Sequence, residues 1–166
     1  MKIRLLYFPL LFCTLSLGAQ SYKTAAGLRL GGGIGFTAKH EIFKKTTLEA
    51  ILQAQSKQDR TSFTLLYEQH HNLLFRRVNF YLGAGPHLSW QEDPELGSRN
   101  GGGATGIVGI EFSPGRLNLS WDFKPALKLW GNGNTFETQT GISLRYIFVK
   151  RKKKKINWKF WQKKKR

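Results

Sequence analysis

Cysteine is all but missing. The chain has 166 residues and one cysteine, Cys13, which lies among the first twenty. Once that segment is removed no disulfide can form, a state compatible with an oxidising compartment but not diagnostic of one. Long apolar runs are missing too. Past residue 20 no stretch reaches about 18 consecutive apolar residues, so no helix of ordinary length spans a membrane. Strands are not excluded, because a second, polar face dilutes their apolar residues. Acids are scarce: 10 Asp and Glu stand against 27 Lys and Arg, a net charge of +17. A G-x-S-x-G nucleophile elbow is absent. His40, His70, His71 and His87 are scattered without metal-ligand spacing, so neither metal nor cofactor is expected.

The positive charge is local. Residues 149–166 hold eleven of the basic residues and no acid. Setting them aside with Lys2 and Arg4 leaves 14 basic residues against the 10 acids, so the basicity belongs to a tail. Residues 1–19 read as a signal peptide. Lys2 and Arg4 form its basic start, Leu5 to Leu17 its apolar stretch, and Gly18-Ala19 the small residues before a cut at Gln20. The apolar stretch is shorter than the roughly 20 residues of a spanning helix, which argues against a retained anchor. A lipoprotein cut at Cys13 is disfavoured by the bulky Phe12 before it. The organisation expected is signal peptide 1–19, barrel 20–148 and Lys/Arg-rich aromatic tail 149–166, with no length left for a second domain.

What is abundant is alternation. In Arg116–Trp130, Leu117, Leu119, Trp121, Phe123, Pro125, Leu127 and Leu129 share one parity, and Asn118, Ser120, Asp122, Lys124, Ala126 and Lys128 the other. A period of two places these sets on opposite faces of a strand. The stretch exceeds both the roughly 5–6 residues of an average strand and the roughly 9–11 that cross a bilayer at a tilt. The same pattern recurs in Tyr22–Gly31, Ile34–Phe43, Thr46–Gln55, Arg60–Gln69, Arg77–Trp90, Gly103–Phe112 and Thr135–Phe148. His70–Arg76 is expected as a turn and Gln91–Gly102 as the longest, exposed connection. Pro86 and Pro125 each remove a ladder hydrogen bond and are expected at bulges or near the rims. The expected fold is all-β, an eight-stranded antiparallel up-and-down transmembrane β-barrel followed by a disordered or interfacial basic tail. An even strand count brings both termini to one side.

Alternation alone does not say which face is inside. A soluble lipocalin-like carrier would hide the apolar set around a hydrophobic ligand. A membrane barrel does the reverse. Trp90, Phe112, Tyr146 and Phe148 lie near strand ends on the apolar face, as interface girdles do. The polar face is rich in small residues and carries both signs: Arg29, Lys39, Lys124, Lys128 and Arg145 against Glu41, Glu49, Glu68, Glu111 and Asp122. The membrane barrel is therefore the expectation. Its eight-stranded interior holds little beyond its own side chains. Arg29, Lys39, Glu49, Glu68, Glu111, Asp122, Lys124 and Arg145 are expected to pair there as a closed network rather than line a narrow channel. Arg29 and Arg145 belong to the first and last strands, which meet on closure, and Glu49 and Glu68 are expected within their reach.

The motifs G-L-R-L-G (27–31), L-Y-E (66–68), Y-L-G-A-G-P-H (81–87), W-D-F-K-P-A (121–126) and S-L-R-Y-I-F (143–148) resemble the small eight-stranded outer-membrane barrels of Gram-negative bacteria. The resemblance covers Tyr22 to Phe148. It implies an outer-membrane location with both termini periplasmic, a structural or surface-interaction role, and insertion machinery that reads Ser143–Phe148. In that class the terminal signal closes the chain, whereas here eighteen residues follow it. Some barrels of this size hydrolyse or transfer lipid acyl chains, which makes a lipid-modifying enzyme the alternative. His87 and Ser89 share a face, with Glu92 and Asp93 beyond. That spacing is common on strands, and parity points both side chains into the lumen, so a non-enzymatic protein is expected.

In the tail, basic clusters flank Ile156, Trp158, Phe160 and Trp161. Lys152, Lys153, Lys154 and Lys155, with Trp158 and Trp161, are the residues expected to bind anionic lipid at a periplasm-facing leaflet. Nucleic acid is the rival partner by chemistry, but export keeps the two apart. The plainest alternative is a charged, disordered tail with no partner.

Overall fold

The computed structural model describes residues 22–55, 60–73, 78–93, 97–131 and 135–151, with the backbone alone over 92–99. The expected signal peptide and the tail beyond Arg151 lie outside the described residues. Eight strands follow in order: β1 (Tyr22–Leu30), β2 (Ile34–Phe43), β3 (Thr46–Gln55), β4 (Arg60–Asn72), β5 (Val78–Asp93), β6 (Gly97–Phe112), β7 (Leu117–Gly131) and β8 (Phe136–Lys150). Each pairs antiparallel with the next, and β8 returns to β1 to close the barrel. Closure leaves no free edge strand among the described residues. Both described chain ends lie at one rim, called terminal here. The other rim is called distal.

Period-two alternation sorts the side chains. In β7, Leu117, Leu119, Trp121, Phe123 and Leu127 are exposed, while Asn118, Ser120, Asp122, Lys124 and Ala126 are buried. The other strands do the same. The apolar parity set therefore forms the outer wall and the polar set fills the barrel. Among the described residues the buried apolar groups are few: Ile51, Leu66, Tyr81 and Ile107 in one cluster, Tyr22, Ala25 and Ile147 in another, and Ala126. This arrangement is opposite to the soluble-carrier alternative, in which the apolar set would line the cavity.

In three places the strands extend beyond the expectation. The described residues of Gln91–Gly102 are strand, not loop: β5 and β6 pair continuously from Val78↔Phe112 to Asp93↔Gly97. The glycines at 101–103 suggest a loop by composition, yet the long hairpin supplies their hydrogen bonds. β4 runs into the expected turn as far as Asn72, which makes His70 a strand residue. β8 continues two residues beyond the expected boundary, and Lys150 pairs with Tyr22.

The prolines are not where expected either. The bulges lie between Gly102 and Gly103, near Ile42, and at the start of β1. Pro86 and Pro125 sit within strands whose register is the same on both sides of them. Pairing lapses locally beside each, on the β4 side of Pro86 and the β6 side of Pro125. Each ring thus costs ladder bonds without a slip. Beside Pro125 the hydroxyl of Thr105 donates to its carbonyl at 2.7 Å.

Candidate functional site

The polar lumen is the candidate site. It is built in layers from the terminal to the distal rim. In the lowest layer Glu111 accepts from Tyr22 Oη at 2.9 Å, from Asn79 Nδ2 at 2.9 Å and from Asn118 Nδ2 at 3.1 Å. His70 stands between Glu111 and Glu68, with a ring nitrogen 3.3 Å from a carboxylate oxygen on each side. Its ring stacks on Tyr81 at 5.4 Å between centroids.

Above it, Lys39 lies 2.8 Å from Glu68 and 3.4 Å from Glu49, with its Nζ 3.8 Å from the centre of the Tyr81 ring. Glu49 also accepts from Thr37 and from Arg145 Nη2. Arg145 spends its remaining donors on Thr37 at 3.1 Å, Asn118 at 3.1 Å and Ser120 at 2.7 Å. In the next layer Arg29 grips Asp122 through two nitrogens, at 2.5 and 2.8 Å, and Tyr81 Oη donates to the same carboxylate at 2.9 Å.

Arg29, Lys39, Glu49, Glu68, Lys124 and Arg145 are wholly buried, and Glu111 and Asp122 are within 1% of it. Ions so far from water are tolerated only when paired and hydrogen-bonded. Of the two acids expected beside Arg29 and Arg145, one is found there. Glu49 reaches Arg145. Glu68 serves Lys39 and His70 instead of an arginine, and Arg29 takes Asp122 from across the closing strand. Lys124 has one hydrogen bond, to Thr64 Oγ1 at 3.4 Å.

Nearer the distal rim, both carboxylate oxygens of Glu137 accept from Arg60 Nη1 at 2.7 Å, and Lys128 lies 3.9 Å from Glu137. Arg60, His70, Tyr22 and Glu137 are lumen residues outside the expected network, and Tyr81, on the inward parity of β5, joins it. Arg60 and Glu137 share the inward parity of their strands, a signal that was there to use. His70 shares the parity of Glu68 and was hidden by the turn assigned over it. Tyr22 owes its inward position to the bulges beside Thr24, which no alternation announces.

The weak catalytic pair does not assemble. His87 and Ser89 are both buried in the lumen. His87 Nδ1 shares a hydrogen with Thr64 Oγ1 at 2.8 Å, whereas Ser89 Oγ donates to the Gly101 carbonyl at 3.4 Å. The side chains of Glu92 and Asp93 lie outside the described residues. His40 faces outward against Thr24, and His71 is exposed, so the four histidines do not converge.

The four aromatics expected to form girdles are exposed on the outer wall. Trp90 stands toward the distal rim. Phe112, Tyr146 and Phe148 stand at the terminal rim, where Tyr146 meets the edge of Phe148 and accepts from Arg116 at 2.9 Å. Arg151, at the root of the tail, pairs with Glu41 at 3.0 Å. Lys152, Lys153, Lys154, Lys155, Trp158 and Trp161 lie outside the described residues.

No family model matches the sequence, and no curated protein does. Solved structures match its shape. The crystal structure of the N-terminal β-barrel domain of Pseudomonas aeruginosa OprF superposes with a TM-score of 0.60 at 10% identity, covering 78% of this chain and 100% of that one. Neisserial surface protein A, NspA, gives a TM-score of 0.49 at 12% identity, covering 75% of this chain and 94% of that one. At such identity the likeness to OprF is one of fold, and the chain has that domain's fold, a closed eight-stranded antiparallel β-barrel.

Proposed function

We propose that this chain is an integral outer-membrane β-barrel with a structural or surface-interaction role, not an enzyme, and that its lumen is closed to conduction. One observation carries the reading: the barrel is apolar outside and charged inside. Leu28, Phe36, Leu52, Leu82, Ile110, Trp121 and Leu144, drawn from strands all round the barrel, are exposed, while ions of both signs are buried within. A water-soluble surface rarely shows a contiguous apolar patch above a few hundred Å². A hydrocarbon surrounding removes that cost, and the closed ladder leaves no unpaired edge to it. The side-chain network through the lumen supports a plug rather than a pore. Separate partners for His87 and Ser89 support the non-enzymatic reading, and unchanged acyl hydrolysis after Ser89→Ala would accord with it.

On this reading the periplasmic side is the terminal rim, Ser143–Phe148 serves the insertion machinery, and the basic tail lies against anionic lipid. Fractionation of the envelope, with the extracted protein run heated and unheated on a denaturing gel, tests the proposal. Outer-membrane enrichment with a heat-dependent mobility shift is the expected result. A protein that stays in solution without detergent, with no shift, would overturn it.

A further inference from the structure

Arg116 lies on the outer side of the wall, against its parity. Asn118 and Ser120, two and four residues on, are buried in the lumen, whereas Arg116 is exposed and its Nη1 donates to Tyr146 Oη at 2.9 Å. Tyr146 belongs to the outward set of β8, with Leu144 and Phe148. The guanidinium is therefore held against the outer wall, at the edge of its apolar band.

The backbone is fixed as well. Leu117 N donates to the Pro114 carbonyl at 3.2 Å, which closes the turn. Ile147 N donates to the Arg116 carbonyl at 2.8 Å, which ties the residue to β8 just past the ladder pair Leu117↔Tyr146. Tyr146 in turn meets the edge of Phe148, with ring centroids 5.4 Å apart. Both side chains are placed before any ligand arrives.

The pair has donors to spare. A guanidinium carries five N–H groups and a phenol one O–H. Among the described residues Tyr146 is the one side-chain partner of Arg116, and the Tyr146 hydroxyl, which accepts that bond, keeps its own hydrogen to give. Arg116 enters no ion pair among the described residues. Glu111, the nearest acid in sequence, is buried with its oxygens turned to Tyr22, Asn79 and Asn118. Glu41 pairs with Arg151 at 3.0 Å. The segments that continue from strand ends at this rim outside the described residues, 1–21, 74–77 and 152–166, contain no Asp or Glu at all. They carry further Lys and Arg, and Lys23, Lys44, Lys45 and Lys150 add to the same sign.

We infer that Arg116 and Tyr146 form a headgroup site for an anionic phospholipid whose acyl chains run along the outer faces of β7 and β8. The guanidinium fork matches two phosphate oxygens, and the phenol donates to the same group. Beside it the wall presents Leu117, Leu119 and Trp121 on β7 and Ile142 and Leu144 on β8, all exposed. A lipid uses both the donors and this apolar strip, whereas a free phosphate uses the donors alone. An anionic headgroup suits a rim of cations better than a zwitterionic one, which brings an ammonium of its own. The site belongs to the barrel, apart from the tail, and it rests on the membrane reading above.

Trp121 lies on the same outward row and reports on this lipid. In the full chain Trp90, Trp130, Trp158 and Trp161 are changed to phenylalanine, and the protein is folded into vesicles of phosphatidylcholine and phosphatidylglycerol. Each lipid in turn carries brominated acyl chains, and quenching of Trp121 gives the affinity of the anionic lipid relative to the zwitterionic one. A preference of about fivefold is expected, that of one basic contact near the surface. It should vanish in Arg116→Gln, weaken in Tyr146→Phe and persist in Lys153→Gln, which removes the same charge from the tail. Heat-dependent gel mobility checks that each variant is folded, and Tyr146→Phe, which keeps the ring, carries the test if Arg116→Gln does not fold. Equal quenching by the two lipids would overturn this inference alone. So would a preference retained in folded Arg116→Gln, or lost as fully in Lys153→Gln. Displacement of the anionic lipid by inorganic phosphate would overturn it too, because the ligand would then be the ion. Quenching by neither lipid would sink the proposed membrane barrel and this inference with it.

Discussion

Asp122 is reached by side chains that pass over glycine. Its partners across the two adjoining ladders are Gly109 on β6 and Gly141 on β8. A Cβ placed on Gly141 would stand 2.3 Å from Arg29 Nη2 and 2.5 Å from its Cζ, and one on Gly109 would stand 2.7 Å from Tyr81 Cζ. The two glycines clear the approach of Arg29 and Tyr81 to one carboxylate. Gly141→Ala is therefore expected to cost about 1–3 kcal/mol, the usual range for overpacking a filled interior. Gly106→Ala is the control, because nothing lies nearer its added Cβ than Pro125 Cγ at 3.7 Å. Urea unfolding in micelles should show a lower midpoint for the first variant and little change for the second. At this scale the sequence showed which residues face inward and not whom they meet. Arg29 and Asp122 are 93 positions apart, and only the strand order and register of the closed barrel bring them together.

Elements were more readable than residues, because their signal is local. β2 and β3 have the very bounds that alternation assigned, and every strand the periodicity named is present. The errors came where composition competed with pairing. Glycines made β6 look six residues shorter at its start than it is, and His70 to Asn72 were lost to an assumed turn. Bulges defeated parity for Tyr22, since one extra residue flips every side chain beyond it. The outer face makes its own prediction. Val108 is exposed on β6, between Leu82 of β5 and Phe123 of β7 in the ladder. Val108→Arg in a reconstituted bilayer should cost about 2–4 kcal/mol, as for a charge at the middle of a lipid-facing wall. In a soluble barrel the same exposed substitution stays within about 0.5 kcal/mol. Unfolding midpoints in vesicles separate the two cases.

For the whole molecule the distribution of charge is the feature to explain. The lumen places acids and bases together, while the terminal rim gathers Lys23, Lys44, Lys45, Arg116, Lys150 and Arg151 beside exposed Phe43, Phe112, Tyr146 and Phe148. Among the described residues β8 and β1 already close the barrel from Leu30↔Ile142 to Tyr22↔Lys150. Removing residues 152–166 should therefore leave the barrel folded and its gel mobility still heat-dependent. The segment itself carries Trp158 and Trp161, and the chain's other tryptophans are Trp90, Trp121 and Trp130. A full-length variant with those three changed to phenylalanine reports on the tail alone. In vesicles containing an anionic phospholipid its fluorescence should be shielded from acrylamide. About 0.5 M salt should undo the shielding, because each Lys–headgroup attraction is only about 1 kcal/mol and is screened within a few Å at that ionic strength. Equal quenching in anionic and zwitterionic vesicles would mean that the tail has no lipid partner. Shielding that survives high salt would mean that Trp insertion, rather than lysine, holds it to the leaflet.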